Sequence, residues 1–346
     1  MLSPLVRVCQ ALRFSKGFSL SLLTALLLTS ATASRAESYL QHPEFRKFLQ
    51  EITSENIYPE EALIKLMASA ERKESILEAI ARPAEKTLTW AQYQKIFLSS
   101  ERIDQGVAFY KKHQPTFARA AQETGVPEEM ILAILGVETR YGAHRGGYRV
   151  LDALATLGFD YPPRASFFRK QLKEFLLLEK EAGIDLSNAK GSYAGAMGYP
   201  QFIPSSYRHY AVDFDGDRKI DLIDNPVDAI GSIANYFKVH GWVPGAPVTT
   251  PARILKADSG SQLDDLFNRN LKPDHSVKEL MGQGLIPDMP LEEDARATAM
   301  RLEGSDGEEY WIGLQNFYVI TRYNHSRLYA MAAYQLSQAL KDKLKL

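Results

Sequence analysis

Between Val126 and Gly142 the chain reads Val126-Pro127-Glu128-Glu129-Met130-Ile131-Leu132-Ala133-Ile134-Leu135-Gly136-Val137-Glu138-Thr139-Arg140-Tyr141-Gly142. The pattern predicts a helix over residues 127–140. Proline suits a first turn, where its missing N–H has no intrahelical partner, and Glu128 and Glu129 suit the positive end of the helix dipole. Ile131, Ile134, Leu135 and position 138 recur at i, i+3, i+4 and i+7, the stripe a helix turns toward a core. Position 138 is a glutamate. The helix therefore carries a carboxyl on its core-facing side, close to Gly142, which is expected to end it. Burial disfavours the ionised form, so such a carboxyl keeps its proton to higher pH, as a general acid must. A structural ion pair with Arg140, Arg145 or Arg149 is the alternative, and this segment alone leaves both open.

Helical spacing continues on either side. Residues 59–82 place Ala62, Leu63, Leu66, Met67, Ile76, Leu77 and Ile80 at helical intervals, and residues 89–97 and 103–124 read likewise, with Pro115 expected to split the latter. Further helices are expected over 164–182, 226–240 and 317–340. Two segments break the pattern. Residues 191–204 are rich in glycine and small side chains, and residues 243–313 mix prolines and glycines with β-prone runs at 297–302 and 310–314. The expected fold class is mainly α (α+β). A helical domain covers 37–125, a helical core covers 126–242 and 314–346, and a small mixed subdomain (243–313) is inserted before the last helix.

The 346 residues are 45% hydrophobic and 24% charged with a formal net charge of −1, so no global positive field draws the chain to nucleic acid or anionic lipid. Arg7, Arg13 and Lys16 precede an apolar run from Phe18 to Leu28, and Ala31-Thr32-Ala33 and Ser34-Arg35-Ala36 follow with small side chains at cleavage positions. Residues 1–36 read as a cleaved secretory signal peptide, the apolar run being shorter than the roughly 20 residues of a membrane span. The single cysteine, Cys9, lies ahead of that run, so no lipobox is seen. Cleavage leaves no cysteine, which excludes disulfides, thiolate catalysis and cysteine metal sites. The seven histidines show no metal-ligand spacing, and no glycine loop of phosphate-binding type occurs.

Downstream of the glutamate helix stands Gly191-Ser192-Tyr193-Ala194-Gly195-Ala196-Met197-Gly198-Tyr199-Pro200-Gln201-Phe202-Ile203-Pro204-Ser205-Ser206-Tyr207. Small residues let a ligand approach the backbone, and tyrosine and glutamine can stack on or bond a sugar; a tightly packed structural loop reads the same way. Asn235-Tyr236-Phe237 follows, then Asn316-Phe317-Tyr318-Val319-Ile320-Thr321-Arg322-Tyr323-Asn324, with Tyr323 and Asn324 expected early in the last helix. In this order, and together with Glu138-Thr139-Arg140-Tyr141-Gly142, these segments closely resemble the lytic murein transglycosylase B family. The likeness runs through most of the chain after the leader. It implies a lysozyme-like helical core with a deep saccharide groove, and Glu138 as catalytic acid/base. Ser192, Gln201, Tyr236, Tyr323 and Asn324 fall on motif positions that line the family's groove, and Tyr93 is carried over from the less distinctive Thr89-Trp90-Ala91-Gln92-Tyr93. It also implies a monomeric periplasmic enzyme of peptidoglycan glycan strands, with other cell-wall enzymes as candidate partners and no organic cofactor.

Glycosidases commonly use two carboxyls about 5 Å or about 6.5–9.5 Å apart, whereas the motifs supply one. Asp152 fits a helix face and Asp160 a turn before Pro162-Pro163. One carboxyl suits the chemistry that the resemblance implies: Glu138 protonates the oxygen between N-acetylmuramic acid and N-acetylglucosamine, then deprotonates the C6 hydroxyl, which closes to 1,6-anhydromuramic acid. A hydrolytic muramidase and a non-catalytic glycan-binding module are the competing readings.

Between 213 and 228 the chain reads Asp213-Phe214-Asp215-Gly216-Asp217-Arg218-Lys219-Ile220-Asp221-Leu222-Ile223-Asp224-Asn225-Pro226-Val227-Asp228. Asp213, Asp215 and Asp217 at positions 1, 3 and 5, with the Lys219 carbonyl at 7, match an EF-hand-like Ca²⁺ loop of oxygen ligands. Glycine at position 4 instead of 6, aspartate at 12 and Arg218 depart from that pattern. The resemblance points to Asp228 as last ligand; Asp224 is the alternative, and a solvated acidic turn is the plain one.

Overall fold

The computed structural model describes residues 39–82, 87–255 and 263–346. The leader expected over residues 1–36 lies outside them. Among the described residues no helix is long and apolar enough to cross a membrane.

Among the described residues helix accounts for 56%, well above the one-third typical of globular proteins. The chain runs through α1 (Pro43–Ser54), α2 (Glu60–Ala68), α3 (Glu74–Ala81), α4 (Trp90–Phe97) and α5 (Ser100–Thr124) to α6 (Glu128–Thr139), which carries Glu138. After α6 come α7 (Val150–Asp160), α8 (Ala165–Ala182), α9 (Pro204–Tyr210) and α10 (Pro226–Val239). A short helix, α11 (Val277–Gly282), sits among strands, and α12 (Gln315–Tyr323) and α13 (Arg327–Leu344) close the chain.

α5, α10 and α13 all pack on α6. Its burial is therefore no stripe: every residue from Glu129 to Val137 is buried. The helix also ends before Gly142. Arg140 (φ 53°) and Tyr141 (φ 58°) are already left-handed, a conformation non-glycine residues keep only where packing holds it. Here the Tyr141 ring is buried and stacks on Phe109, with centroids 5.9 Å apart.

Pro115 does disrupt α5: His113 has non-helical torsions (φ −122°, ψ 17°), as expected where a proline ring crowds the preceding turn. Two other expected helices are each divided. Between α2 and α3 the backbone leaves the helix because buried side chains of α7 take its donors; Asp152 Oδ1 accepts the Glu71 N–H at 2.8 Å and Thr156 Oγ1 that of Lys73 at 3.1 Å. Near the end, Asn324 is extended (φ −140°, ψ 125°) and stops α12, while Ser326 caps α13 by accepting the Tyr329 N–H. Tyr323 and Asn324 thus stand at a helix break, not early in one helix.

Residues 249–313 supply β3 (Thr249–Ile254), β4 (His275–Ser276), β5 (Leu285–Pro287), β6 (Arg296–Gly304) and β7 (Gly307–Gly313), an antiparallel sheet in the order β4-β6-β7-β3-β5. Alternate residues of a strand face opposite ways. Ala297, Ala299 and Ile312 join a small core with Phe267, Val277 and Leu280, whereas Met300, Leu302 and Trp311 pack on the main one. The sheet is a partition with apolar side chains on both faces. A further ribbon pairs β1 (Tyr148–Arg149) with β2 (Lys190–Gly191), which brings the small-residue loop beside the segment that follows α6. One hydrophobic cluster runs from Tyr39 to Leu340.

Candidate active site

Glu138 lies in the last turn of α6, half-buried. Tyr329, on the first turn of α13, donates its hydroxyl to Glu138 Oε1 at 2.5 Å. Its ring is buried and lies nearly parallel to that of Tyr323, with centroids 6.4 Å apart and 10° between planes. Burial first, then the negative charge of Glu138, holds both hydroxyls well above the ordinary phenol range, so both remain protonated donors. Tyr323 donates to the Pro200 carbonyl at 2.7 Å and so fastens α12 to the small-residue loop. Tyr236, on α10, donates to the Arg322 carbonyl at 2.6 Å, and burial raises its hydroxyl in the same way. Tyr93 is buried on α4, near enough for its phenol to act electrostatically on Tyr329.

Tyr329 is the site residue that sequence reasoning missed. In one continuous helix, positions 323 and 329 fall on different faces; the break at Asn324 and Ser326 brings them together. Ser326 ahead of the apolar run was the available sign of a new helix start.

The three arginines that could have neutralised Glu138 each serve another acid. Arg140 pairs with Glu101 at 2.5 Å, Arg145 with Asp224 at 2.9 Å and Arg149 with Asp152 at 2.6 Å. The nearby acids are likewise engaged: Asp152 as above, and Asp160 by the Tyr39 hydroxyl at 2.8 Å.

Ser192 Oγ accepts the N–H groups of Ala194 and Ala196 at 3.2 and 3.1 Å. Its lone pairs are taken, which leaves the hydroxyl proton to donate. Gln201 is the converse case. Its Nε2 donates to the Arg145 and Gly198 carbonyls at 3.1 and 2.9 Å, so its Oε1 remains to accept. Two adjoining cavities, of about 760 and 700 Å³, share Arg164, Ala194, Asn324 and His325. Gln201, Tyr236 and Tyr323 line the second; Glu138 itself lines neither. Among the described residues no carboxylate lies within ion-pair distance of Arg164 or Arg322, so the groove wall is basic.

In the acidic loop, Asp213, Asp215 and Asp217 bring their carboxylate oxygens within 4.8 Å of one another. The chain wraps these groups: Asp213 accepts the N–H groups of Gly216 and Arg218, and Asp217 that of Lys219. Oxygen donors at this spacing fit a hard cation. Asp228 is not drawn into the cluster. It is buried at the start of α10, where its oxygens accept the Phe214 and Asp221 N–H groups at 2.8 Å each, and burial raises its carboxyl above the usual range. Asp224 turns away to Arg145.

Residues 41–338 match the family model described as the transglycosylase SLT domain. The chain belongs to that family. It is 43% identical over 311 residues to membrane-bound lytic murein transglycosylase B of Escherichia coli (strain K12), covering 87% of this chain and 84% of that one. Soluble lytic transglycosylase SltB1 from Pseudomonas aeruginosa matches with a TM-score of 0.82 at 51% identity over 88% of this chain and all (100%) of that one. The lytic transglycosylase Slt35 of Escherichia coli, solved in complex with calcium, matches with a TM-score of 0.81 at 41% identity, over 90% and 96%. The lysozyme-like expectation for the fold therefore holds, and the SLT-family chain is an enzyme, a lytic transglycosylase of peptidoglycan.

Proposed function

We propose that Glu138 alone cleaves the β-1,4 bond between N-acetylmuramic acid and N-acetylglucosamine, leaving 1,6-anhydromuramic ends. One observation carries the residue-level reading: the half-buried Glu138 carboxyl accepts the Tyr329 hydroxyl, while Arg140, Arg145 and Arg149 each pair with another acid. Protonated Glu138 gives its proton to the glycosidic oxygen as the bond to the anomeric carbon breaks. The substrate's own acetamido oxygen shares the positive charge that develops there. Ionised Glu138, stabilised by the Tyr329 hydroxyl, then removes the C6 hydroxyl proton as that oxygen bonds to the anomeric carbon, which regenerates the acid. No water is consumed.

Ser192, with only its proton to offer, suits the acetamido carbonyl. Gln201, with only its oxygen, suits a sugar hydroxyl or the acetamido N–H. Asn324 faces both cavities and would bond sugar hydroxyls, while Tyr236 and Tyr323 line the second cavity with ring surface, their hydroxyls tying the surrounding backbone, and Tyr93 supports the site from the buried side of α4. The basic wall at Arg164 and Arg322 is compatible with a glycan that bears carboxylates.

Asp213, Asp215 and Asp217 with the Lys219 carbonyl would hold calcium, and Asp228 closes the loop behind them. The ion would supply a cross-link within the loop and no catalytic step. The enzyme would act outside the cytoplasm, in the periplasm, as a monomer on glycan strands, after loss of residues 1–36. Residues 37–125, the core of 126–242 and 314–346, and the inserted 243–313 are proposed as its parts. Replacing Glu138 by glutamine tests the reading: E138Q is expected to abolish release of soluble muropeptides while glycan binding persists, and an active E138Q refutes the assignment.

A further inference from the structure

Arg145 stands between two regions that the proposed function uses separately. It lies between α6 and β1, and its guanidinium faces the acidic loop. Nη1 donates to the Ile223 carbonyl and, at 2.9 Å, to Asp224 Oδ1. Its Cζ sits 5.2 Å from the ring centre of Tyr199, on the small-residue loop. Its own carbonyl accepts the Gln201 side-chain amide at 3.1 Å. Gln201 has a left-handed backbone (φ 51°), which its surroundings must hold in place. On the other side, Asp221 Oδ1 accepts the Ile223 and Asp224 N–H groups at 2.8 and 2.9 Å, and the Asp221 N–H runs to Asp228. The Arg145 side chain is thus held at Ile223 and Asp224, at the end of the acidic loop, and its backbone carbonyl holds the Gln201 amide.

We propose that Arg145 is a positioning residue through which a cation in the acidic loop sets the Gln201 side chain at the saccharide groove. The inference rests on the proposed roles of Gln201 and of Asp213, Asp215 and Asp217. With the loop filled, the mutual repulsion of the three carboxylates is removed and residues 213–228 hold one arrangement, the Ile223 carbonyl and Asp224 included. The guanidinium is then fixed at two acceptors and against Tyr199, and the Arg145 carbonyl keeps the Gln201 amide in place. The Asp224 pair is exposed and by itself contributes little. The weight falls on the bond to the Ile223 carbonyl and on the ring contact, which a planar guanidinium can make together and an ammonium cannot.

The test uses the full chain with turnover blocked, comparing E138Q with E138Q carrying R145M. Titration calorimetry with a (GlcNAc-MurNAc)₂ tetrasaccharide, in calcium chloride or in EDTA, reads Kd, and thermal melts in both buffers read the calcium effect on the fold. Calcium should tighten Kd at least about fivefold in the parent and less than about twofold in the R145M form, while raising both melting temperatures equally. Equal tightening in the two proteins overturns the coupling, as does a parent that melts higher with calcium but binds glycan no more tightly. A parent that binds no glycan refutes the groove assignment, one with no calcium-dependent melt refutes the loop assignment, and either removes the basis of the coupling.

Discussion

The Tyr329 hydroxyl meets Glu138 Oε1 at 2.5 Å, joining α13 to α6 across 191 residues of sequence. A hydrogen bond to a charged group is worth about 1.5–3 kcal/mol, a factor of roughly 10–150 in rate where the charge develops along the reaction. Y329F is therefore expected to lower kcat by about that factor on soluble glycan strands with little change in melting temperature. An unchanged kcat would leave Tyr329 as packing only.

Gly198 (φ 72°) admits no side chain, because a Cβ would collide with the Leu222 carbonyl oxygen, which also accepts the Tyr199 N–H. G198A should lose about 1–3 kcal/mol through left-handed strain, and more if the clash spreads. Gln201 bonds the Gly198 carbonyl, so glycan affinity should fall with stability. Melts and titrations on E138Q/G198A check both, and a variant as stable as its parent contradicts the account.

Much of the candidate site was legible in the sequence. Glu138 could be picked out because a carboxyl interrupts an apolar helix, and Ser192, Gln201, Tyr236, Tyr323 and Asn324 because their motifs occur in a recognisable order. Surrounding α6 with three helices erased the stripe that local periodicity predicts. Periodicity also ran through the gap between α2 and α3, since it cannot see Asp152 and Thr156 taking that backbone from far along the chain. Tyr329 was hidden for the same reason: its closeness to Glu138 depends on a break that Ser326 caps, and a tyrosine at a helical apolar position looks like ordinary core. The strands β6 and β7 were legible as β-prone runs. Their two apolar faces made sense only once the sheet was seen between two cores.

If the acidic loop holds calcium in the folded chain only, binding stabilises by RT ln(1 + [Ca²⁺]/Kd), about 2.7 kcal/mol at a hundredfold excess over Kd. EDTA should therefore lower the melting temperature by several degrees, calcium should restore it, and D215A should abolish the difference. A melting temperature indifferent to calcium would make the loop a solvated turn.

His240 stacks on Tyr236 with centroids 3.9 Å apart, and burial, aided by Arg322, pushes its imidazole below the usual range. An unfolded chain then takes up this proton at higher pH than the folded one, so its share of stability is complete above about pH 6.5 and is lost as pH falls through the folded value. Between pH 7.5 and 5.5 the wild type should lose more melting temperature than H240Q. Parallel losses would show that His240 does not titrate in this window.

The most direct measurement is mass spectrometry of the muropeptides released when the purified chain digests peptidoglycan. Glu138 acting alone, with the C6 hydroxyl as its internal nucleophile, predicts 1,6-anhydromuramic ends, lighter by one water than ordinary reducing ends. Reducing ends would contradict the one-carboxyl account and require a second acid and a bound water beside Glu138.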